Sequence, residues 1–403
     1  MSVFKLCHAS ALRTAIRRER KGFAGLEAFT LVEILVCLVA LLLIVVLVAS
    51  MASMTSSIWH RTVGTVGQFR AAQDAFESIT RRLSQATLNT YWDYDNPSAP
   101  TKYIRQSELR FISGSGIAGS GTATPPRPTH SIFFQAPMGF VVSGSAGDAT
   151  YQTYQGMENL LNTWGYYVEY GSDVAFRPTF LTSQPQTRFR LMEYMESSPS
   201  LSLYWYEAQA AAIGTTYHTN LTSPYSGMAW FLGNGPGHGV NGVNESVAGA
   251  GQYAPVHILA ENVIALILLP KLTPATEAAQ NYTDSSLAPS YLYDSTGDNM
   301  TTTTDPNLNP VNQLPPIVQV TMVAIDEASA VRLTAQGNQN ILNELNSLFS
   351  NSTNYSTDLA GGGTTPPVGG GLEPFLSRNN ISYRVFSTDV AIKGAKWSSY
   401  QSQ

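Results

Sequence analysis

Cysteine is almost missing from this chain: Cys7 and Cys37 are the only two in 403 residues. Beyond position 37 the chain can form neither a disulfide nor a thiolate metal site. A body of this length can still be held by core burial alone. Charge is scarce as well. Asp, Glu, Lys and Arg make up 13% of the residues, about half the usual share for a soluble domain. Ser, Thr, Asn, Gly and Tyr fill the gap, a composition that favours an extracytoplasmic surface. The histidines after the N-terminus, His60, His130, His218, His238 and His257, form no HxxxH or HxH pattern and sit beside no nucleophile motif. Zinc chemistry and a catalytic triad therefore lack support. There is no P-loop and no internal repeat. Net charge is −5, but residues 1–28 hold six bases (Lys5, Arg13, Arg17, Arg18, Arg20, Lys21) against Glu19 and Glu27, which leaves −9 for the rest. Nucleic acid is not expected as a partner, because it needs a clustered basic face.

What the chain does have is a long apolar run. Residues 29–54 carry a single charge, Glu33, and are long enough to cross a bilayer as a helix. Bases crowd the N-terminal side, and the next base after the run is Arg61. The positive-inside rule then predicts a cytoplasmic N-terminus, with everything after the run outside. A cleaved secretory signal would have a shorter apolar core and a small-residue cleavage site. A plain signal anchor fits the length and charge equally well. Glu33 separates the readings: an ionisable side chain inside such a run costs a few kcal/mol to insert, so by default it has a partner.

The helical pattern continues past the run. Apolar residues fall at Trp59, Val63, Val66, Phe69, Ala72, Phe76, Ile79, Leu83 and Ala86, in steps of three and four that mark one helix face. Gly64 and Gly67 lie inside and weaken it locally. A helix over residues 29–89 would be about 90 Å long at 1.5 Å per residue. Its second half, residues 55–90, is expected to pack one stripe on a sheet.

Strand-like runs bounded by Gly, Pro and Asn follow at 102–112, 131–140, 164–170, 187–192, 201–207, 256–269, 317–325 and 382–392. A short helix is expected at 338–349. Polar stretches at 113–129, 233–251, 273–313 and 351–371 read as mobile loops or insertions. The fold class predicted is α+β: one long N-terminal helix on a mostly antiparallel β-sheet head spanning residues 91–403.

Phe29-Thr30-Leu31-Val32-Glu33, followed by unbroken apolar sequence, resembles the prepilin processing site of type IV pilins and type II secretion pseudopilins. The resemblance implies a cytoplasmic leader over residues 1–28 and cleavage between Ala28 and Phe29 by a prepilin peptidase, with N-methylation of Phe29. It further implies that the Glu33 carboxylate meets the new amine of a neighbouring subunit. A buried carboxylate and a buried ammonium, each costly alone, are tolerable together. The family usually has Gly before the cut, where this chain has Ala28. A competing site at Gly22-Phe23 would put Glu27 in the fifth position, but the apolar run would then start too late.

Four further segments resemble the minor pseudopilin J subunit of type II secretion. They are Arg81-Arg82-Leu83-Ser84-Gln85-Ala86, Glu108-Leu109-Arg110-Phe111, Leu259-Ala260-Glu261-Asn262-Val263 and Leu314-Pro315-Pro316-Ile317-Val318-Gln319-Val320. Over its whole length the chain looks more like a family of pilin-like proteins of Verrucomicrobia called cassette protein C. The segments Gly165-Tyr166-Tyr167-Val168-Glu169-Tyr170 and Arg188-Phe189-Arg190-Leu191-Met192-Glu193 carry that likeness. These resemblances imply an inner-membrane subunit of a pilus-like or secretion filament, or of its tip complex, whose partners are the peptidase and other pilin subunits. No enzymatic activity is expected. The alternative is a membrane-anchored binding module, an adhesin or secretion-substrate receptor that uses the head loops.

Three other patterns hint at chemistry. Gly237-His238-Gly239-Val240-Asn241-Gly242 fits GxGxxG, yet residues 243–252 are Gly- and Ala-rich with no clear helix, and the βαβ spacing a dinucleotide needs is missing, so it reads as a flexible glycine loop. Asp294, Asp298 and Asn299 place hard oxygen ligands in one turn, as a calcium loop requires, without the spacing of an EF-hand. The aromatics at 164–170 and 201–206 could stack on sugar, but at strand spacing core or sheet-surface packing is the role expected of them.

Overall fold

A computed structural model describes residues 30–94, 98–107, 109–119, 125–139, 160–177, 180, 184–196, 256–283, 287–296, 308–335, 339–362 and 370–397. The expected strand at 201–207 and the loop at 233–251 lie outside them. The chain divides into two compact units, Met1–Arg61 and Thr62–Gln403. Helix α1 (Leu31–Leu83) starts in the first and ends in the second, unbroken at Gly64 and Gly67.

In the first unit, α1 is apolar on every side. The stretch Leu31–Trp59 is long and apolar enough to span a membrane, and none of its most apolar window is buried. At about 1.5 Å per residue it would reach roughly 40 Å, more than the ~30 Å hydrocarbon core.

In the second unit, α1 changes character. Ala72, Ala75, Phe76, Ile79 and Leu83 are buried, and Phe69 packs against the same core. Those positions lie on the face predicted from the sequence, but the packing starts only near Phe69, since Trp59 and Val66 remain exposed. The Phe76 ring meets Phe386 at 5.9 Å.

The head around this stripe is α+β, with every strand pair antiparallel. Its strands are β1 (Tyr91–Tyr94), β2 (Tyr103–Gln106), β3 (Ile112–Ser115), β4 (His130–Pro137), β5 (Leu161–Ser172), β6 (Thr187–Glu196), β7 (Val256–Glu261), β8 (Val263–Lys271), β9 (Tyr293–Asp294), β10 (Ile317–Ile325) and β11 (Tyr383–Ala391). Helices α2 (Pro274–Gln280), α3 (Glu327–Ala335), α4 (Gln339–Ser347), α5 (Tyr355–Ala360) and α6 (Leu372–Arg378) lie between them. A six-stranded sheet runs β7-β6-β5-β4-β3-β9, a three-stranded sheet runs β11-β10-β8, and β1 pairs with β2 in a separate hairpin. Strand β8 is buried almost throughout and packs beside β4, β5 and β6, which places the core between the two larger sheets.

Two expected strands are each divided, for identifiable reasons. The run 256–269 breaks at Asn262, which sits at φ 61°, a left-handed position that Asn tolerates better than most residues. Its amide donates to the Phe189 carbonyl at 2.8 Å and its carbonyl accepts from Ile325 at 2.9 Å, so one residue passes the chain from the larger sheet to the smaller. The run 102–112 breaks at Ser107, whose buried hydroxyl donates to the Leu88 carbonyl and accepts from the Leu109 amide at 3.1 Å.

The segments 273–313 and 351–371 are also more than surface loops. Leu287, Ala288, Tyr291 and Tyr293 are buried to within 1% of full coverage, and β9 pairs with β3. Helix α2 is started by Thr273, whose hydroxyl accepts from the Thr276 amide, with Pro274 in its first turn. In the second segment, Asp358 of α5 accepts from the Phe349 amide at 2.9 Å. A few apolar anchors thus tie polar stretches to the core. Segment 113–129 likewise opens with the end of β3, and Ile117 and Ala118 are buried.

Candidate functional site

The start of α1 is the first candidate. Thr30 precedes the helix and accepts the Glu33 amide on both its carbonyl, at 3.0 Å, and its hydroxyl, at 3.3 Å. This arrangement caps the first turn and fixes Glu33 within it. A carboxylate at that place also faces the positive end of the helix dipole. Around it, Leu31, Val32, Ile34, Leu35, Val36 and Leu38 are more than half exposed. The Glu33 carboxylate has no hydrogen-bond or ionic partner among the described residues. Ala28 and Phe29 lie outside them.

The far end of α1 is held by charge. Arg82 Nη1 donates to Tyr166 Oη at 2.8 Å and pairs with Glu193, while its guanidinium lies 4.0 Å from the centre of the Trp164 ring. Tyr166 and Glu193 are register partners on β5 and β6, so one arginine clips the helix to two adjacent strands. Burial, and next the Glu193 charge, push the Tyr166 phenol far above its ordinary range, so it stays a neutral hydroxyl.

A second polar cluster sits at the other end of β6. Gln68 of α1 accepts the Glu327 amide at 2.8 Å and donates to the Glu327 carboxylate at 3.3 Å. That carboxylate also pairs with Arg188 and takes Asn262 Nδ2 at 2.9 Å. Burial alone would raise its pKa; the bonds from Arg188 and Asn262 outweigh burial and lower it. The cluster joins α1, β6, the Asn262 crossing and the start of α3. The Glu327 carboxylate is thereby held by three donors, while Asn262 Oδ1 is buried without a hydrogen-bond partner among the described residues.

The calcium expectation meets a different arrangement. Asp294 is fully buried, with Oδ1 taking Arg110 Nε at 2.9 Å and Oδ2 taking Arg110 Nη2. Oδ1 further accepts the Thr296 amide at 3.0 Å and hydroxyl at 2.8 Å. Desolvation works against the carboxylate, but the Arg110 charge outweighs it and holds the pKa below the usual range. A cation here would have to displace a forked arginine, and in this structure Asp294 serves as the buried anion of Arg110. Asp298 and Asn299 lie outside the described residues, and among the described residues no cluster of His, Cys, Asp and Glu could hold a metal.

Among the described residues, His130 is the histidine the head encloses. Its Nε2 lies 3.1 Å from the Phe349 carbonyl and its Nδ1 accepts the Leu268 amide at 3.1 Å. With Thr129, which accepts the Leu266 amide at 3.2 Å, it caps two amides of β8. Burial depresses its pKa to about 4, so it is neutral above that and acts as a strand cap. The glycine pattern at 237–242 lies outside the described residues.

The aromatics expected at 164–170 are core: Trp164, Tyr166 and Tyr167 are buried. Among the described residues, Trp59 and Phe180 are exposed singly elsewhere, and exposed aromatics gather at Tyr91, Trp92, Tyr94 and Tyr103 on the β1–β2 hairpin. Sequence reasoning missed them because the two sets share the same strand-like spacing. Only tertiary placement separates them.

Comparison with protein-family models, with curated proteins and with solved structures gave no match.

Proposed function

We propose that the chain is a pilin-like subunit, anchored in a bacterial inner membrane by the first part of α1 and assembled through that helix into a pilus-like or secretion-type filament or tip complex. The observation that carries this reading is the single helix Leu31–Leu83. Its first half is apolar, uncovered and marked by one acidic side chain, while its second half is built into the core of the head. A helix used only as an anchor has no need of Glu33 in hydrocarbon. One that packs laterally against copies of itself can give that carboxylate a cationic partner, and the amine of a subunit cut between Ala28 and Phe29 is such a partner. In this reading a prepilin peptidase makes the cut and methylates Phe29, the leader faces the cytoplasm, and the head works outside without catalysing a reaction.

Replacing Glu33 with Ala tests the assembly step. Loss of a buried opposite charge leaves the other uncompensated, at about 3–5 kcal/mol, so incorporation should fall by well over tenfold. The melting temperature of the head should not change, because Glu33 lies far in sequence from its core. Incorporation at the wild-type level would remove Glu33 from the mechanism.

A second reading, a membrane-anchored binding module, is favoured by one observation: the aromatic face of the β1–β2 hairpin. It need not exclude the first.

A further inference from the structure

The hairpin β1–β2 pairs with neither large sheet. Its register sets Trp92 opposite Arg105 and Tyr94 opposite Tyr103. Side chains alternate along a strand, so these four share one face. That face is open to solvent: Trp92 is 60% exposed and Tyr103 62%. The Tyr94 and Tyr103 rings stack with centroids 4.9 Å apart, and their hydroxyls meet at 3.2 Å. The Arg105 guanidinium lies 5.7 Å from the centre of the Trp92 ring. Single exposed aromatics are ordinary, but a contiguous group of them marks a contact surface.

Arg105 supplies a second and independent observation. It is half-buried and gives one hydrogen bond, from Nη1 to the Lys396 carbonyl at 3.0 Å. Desolvation pushes its pKa down. Among the described residues, every other buried or half-buried arginine has a carboxylate: Arg82 has Glu193, Arg110 has Asp294, Arg127 has Glu169, Arg177 has Asp173, Arg188 has Glu327 and Arg190 has Glu261. Arg105 has none. It borders a cleft of about 290 Å³ that holds a second cation, Lys396, with Asn89, Thr90, Asn312 and Gln313, and among the described residues no acidic side chain lines it. A half-desolvated guanidinium without an anion is costly in isolation and is offset when a carboxylate arrives.

We propose that this face and cleft bind an acidic polysaccharide, with sugar rings stacked on Trp92, Tyr94 and Tyr103 and a uronate carboxylate received by Arg105 and Lys396. The apolar C–H face of a pyranose suits a flat, exposed aromatic ring, and its hydroxyls suit the Asn, Thr and Gln side chains of the cleft. An acidic peptide would satisfy Arg105 but leave the aromatic row unused, and a neutral glycan would do the reverse. Only a chain that carries both a flat C–H face and a carboxylate uses the whole surface. The proposal rests on the head acting as a binding module and does not require assembly through Glu33.

The test is calorimetric titration of the full chain in detergent with polygalacturonate oligosaccharides, beside dextran and polyglutamate as controls. Saturable binding is expected, weakening as salt rises, with both controls at least about tenfold weaker. Trp92→Ala, Tyr103→Ala and Arg105→Gln should each weaken binding about tenfold or more, a loss of roughly 1.4 kcal/mol, while the melting temperature holds. Absence of binding, equal binding of polyglutamate (a peptide-type or purely electrostatic site), or variants that bind as the wild type would each overturn the proposal. Loss of this binding with normal filament incorporation would leave the assembly reading standing, and the two failures are thereby told apart.

Discussion

Replacing Arg110 with Met should destabilise the head by about 3–5 kcal/mol, enough to lower its melting temperature by roughly 5–10 °C. Arg110 and Asp294 are 1% and 0% exposed, and the guanidinium engages both carboxylate oxygens. Methionine fills most of the volume yet leaves a buried carboxylate without its cation, still bonded by Thr296. The double variant Arg110→Met with Asp294→Asn should recover much of the loss, since the amide oxygen keeps the Thr296 contacts and no charge is stranded. The pair also sets a pH dependence. The folded carboxyl titrates below its ordinary value near 3.9, so its contribution is present above about pH 4 and is lost as pH falls further, through the folded pKa. Thermal unfolding in detergent from pH 7 down to pH 3 would show the wild type losing stability below about pH 4. Arg110→Met should lack that component. A single variant within ~1 kcal/mol of wild type would mean that Asp294 takes no ionic support from Arg110.

Gly165→Val should be comparably damaging. Gly165 on β5 stands directly between Phe133 of β4 and Tyr194 of β6 in the register of the six-stranded sheet. A Cβ there would come within 2.3 Å of two Phe133 ring carbons and 3.2 Å of Tyr194 Cβ. Phe133 and Tyr194 are both fully buried, and their rings meet edge to face at 6.0 Å, so neither has room to turn aside. Overpacking of a tight core costs about 1–3 kcal/mol, occasionally more. Valine adds two further methyl groups, so the cost should lie at or above the top of that range. The smaller change Gly165→Ala should be rescued in part by Phe133→Leu, which vacates the ring positions. Urea unfolding of the two single variants and the double variant measures both effects. A Gly165→Ala protein as stable as wild type would contradict the close approach of Phe133.

What could be read from the sequence depended on how local the cause was. The membrane-competent part of α1 announces itself by composition, and the stripe from Phe69 to Leu83 by its period, because both are properties of neighbouring residues. The strand 317–325 was legible for the same reason and is found at those bounds. Asn262 was not, since whether Asn turns left-handed depends on the Phe189 and Ile325 partners it finds. The stretch 273–313 reads as loop by its Asn, Thr and Pro content. A few aromatics outweigh that majority, because Tyr291 and Tyr293 bury large area at few positions. Asp294 looked like a calcium ligand for a related reason: its turn is local, but its partner Arg110 lies 184 positions earlier. The aromatic hairpin shows the limit most plainly. Trp92 and Trp164 sit in similar aromatic runs, and only packing makes one a surface and the other a core.

The central claim is that α1 begins as a processed, laterally packing helix. It is tested most directly by the intact mass and N-terminal sequence of the protein purified from its native membrane. The account predicts a chain that starts at N-methylated Phe29. A chain that retains residues 1–28, or one cut after the apolar run, would contradict it.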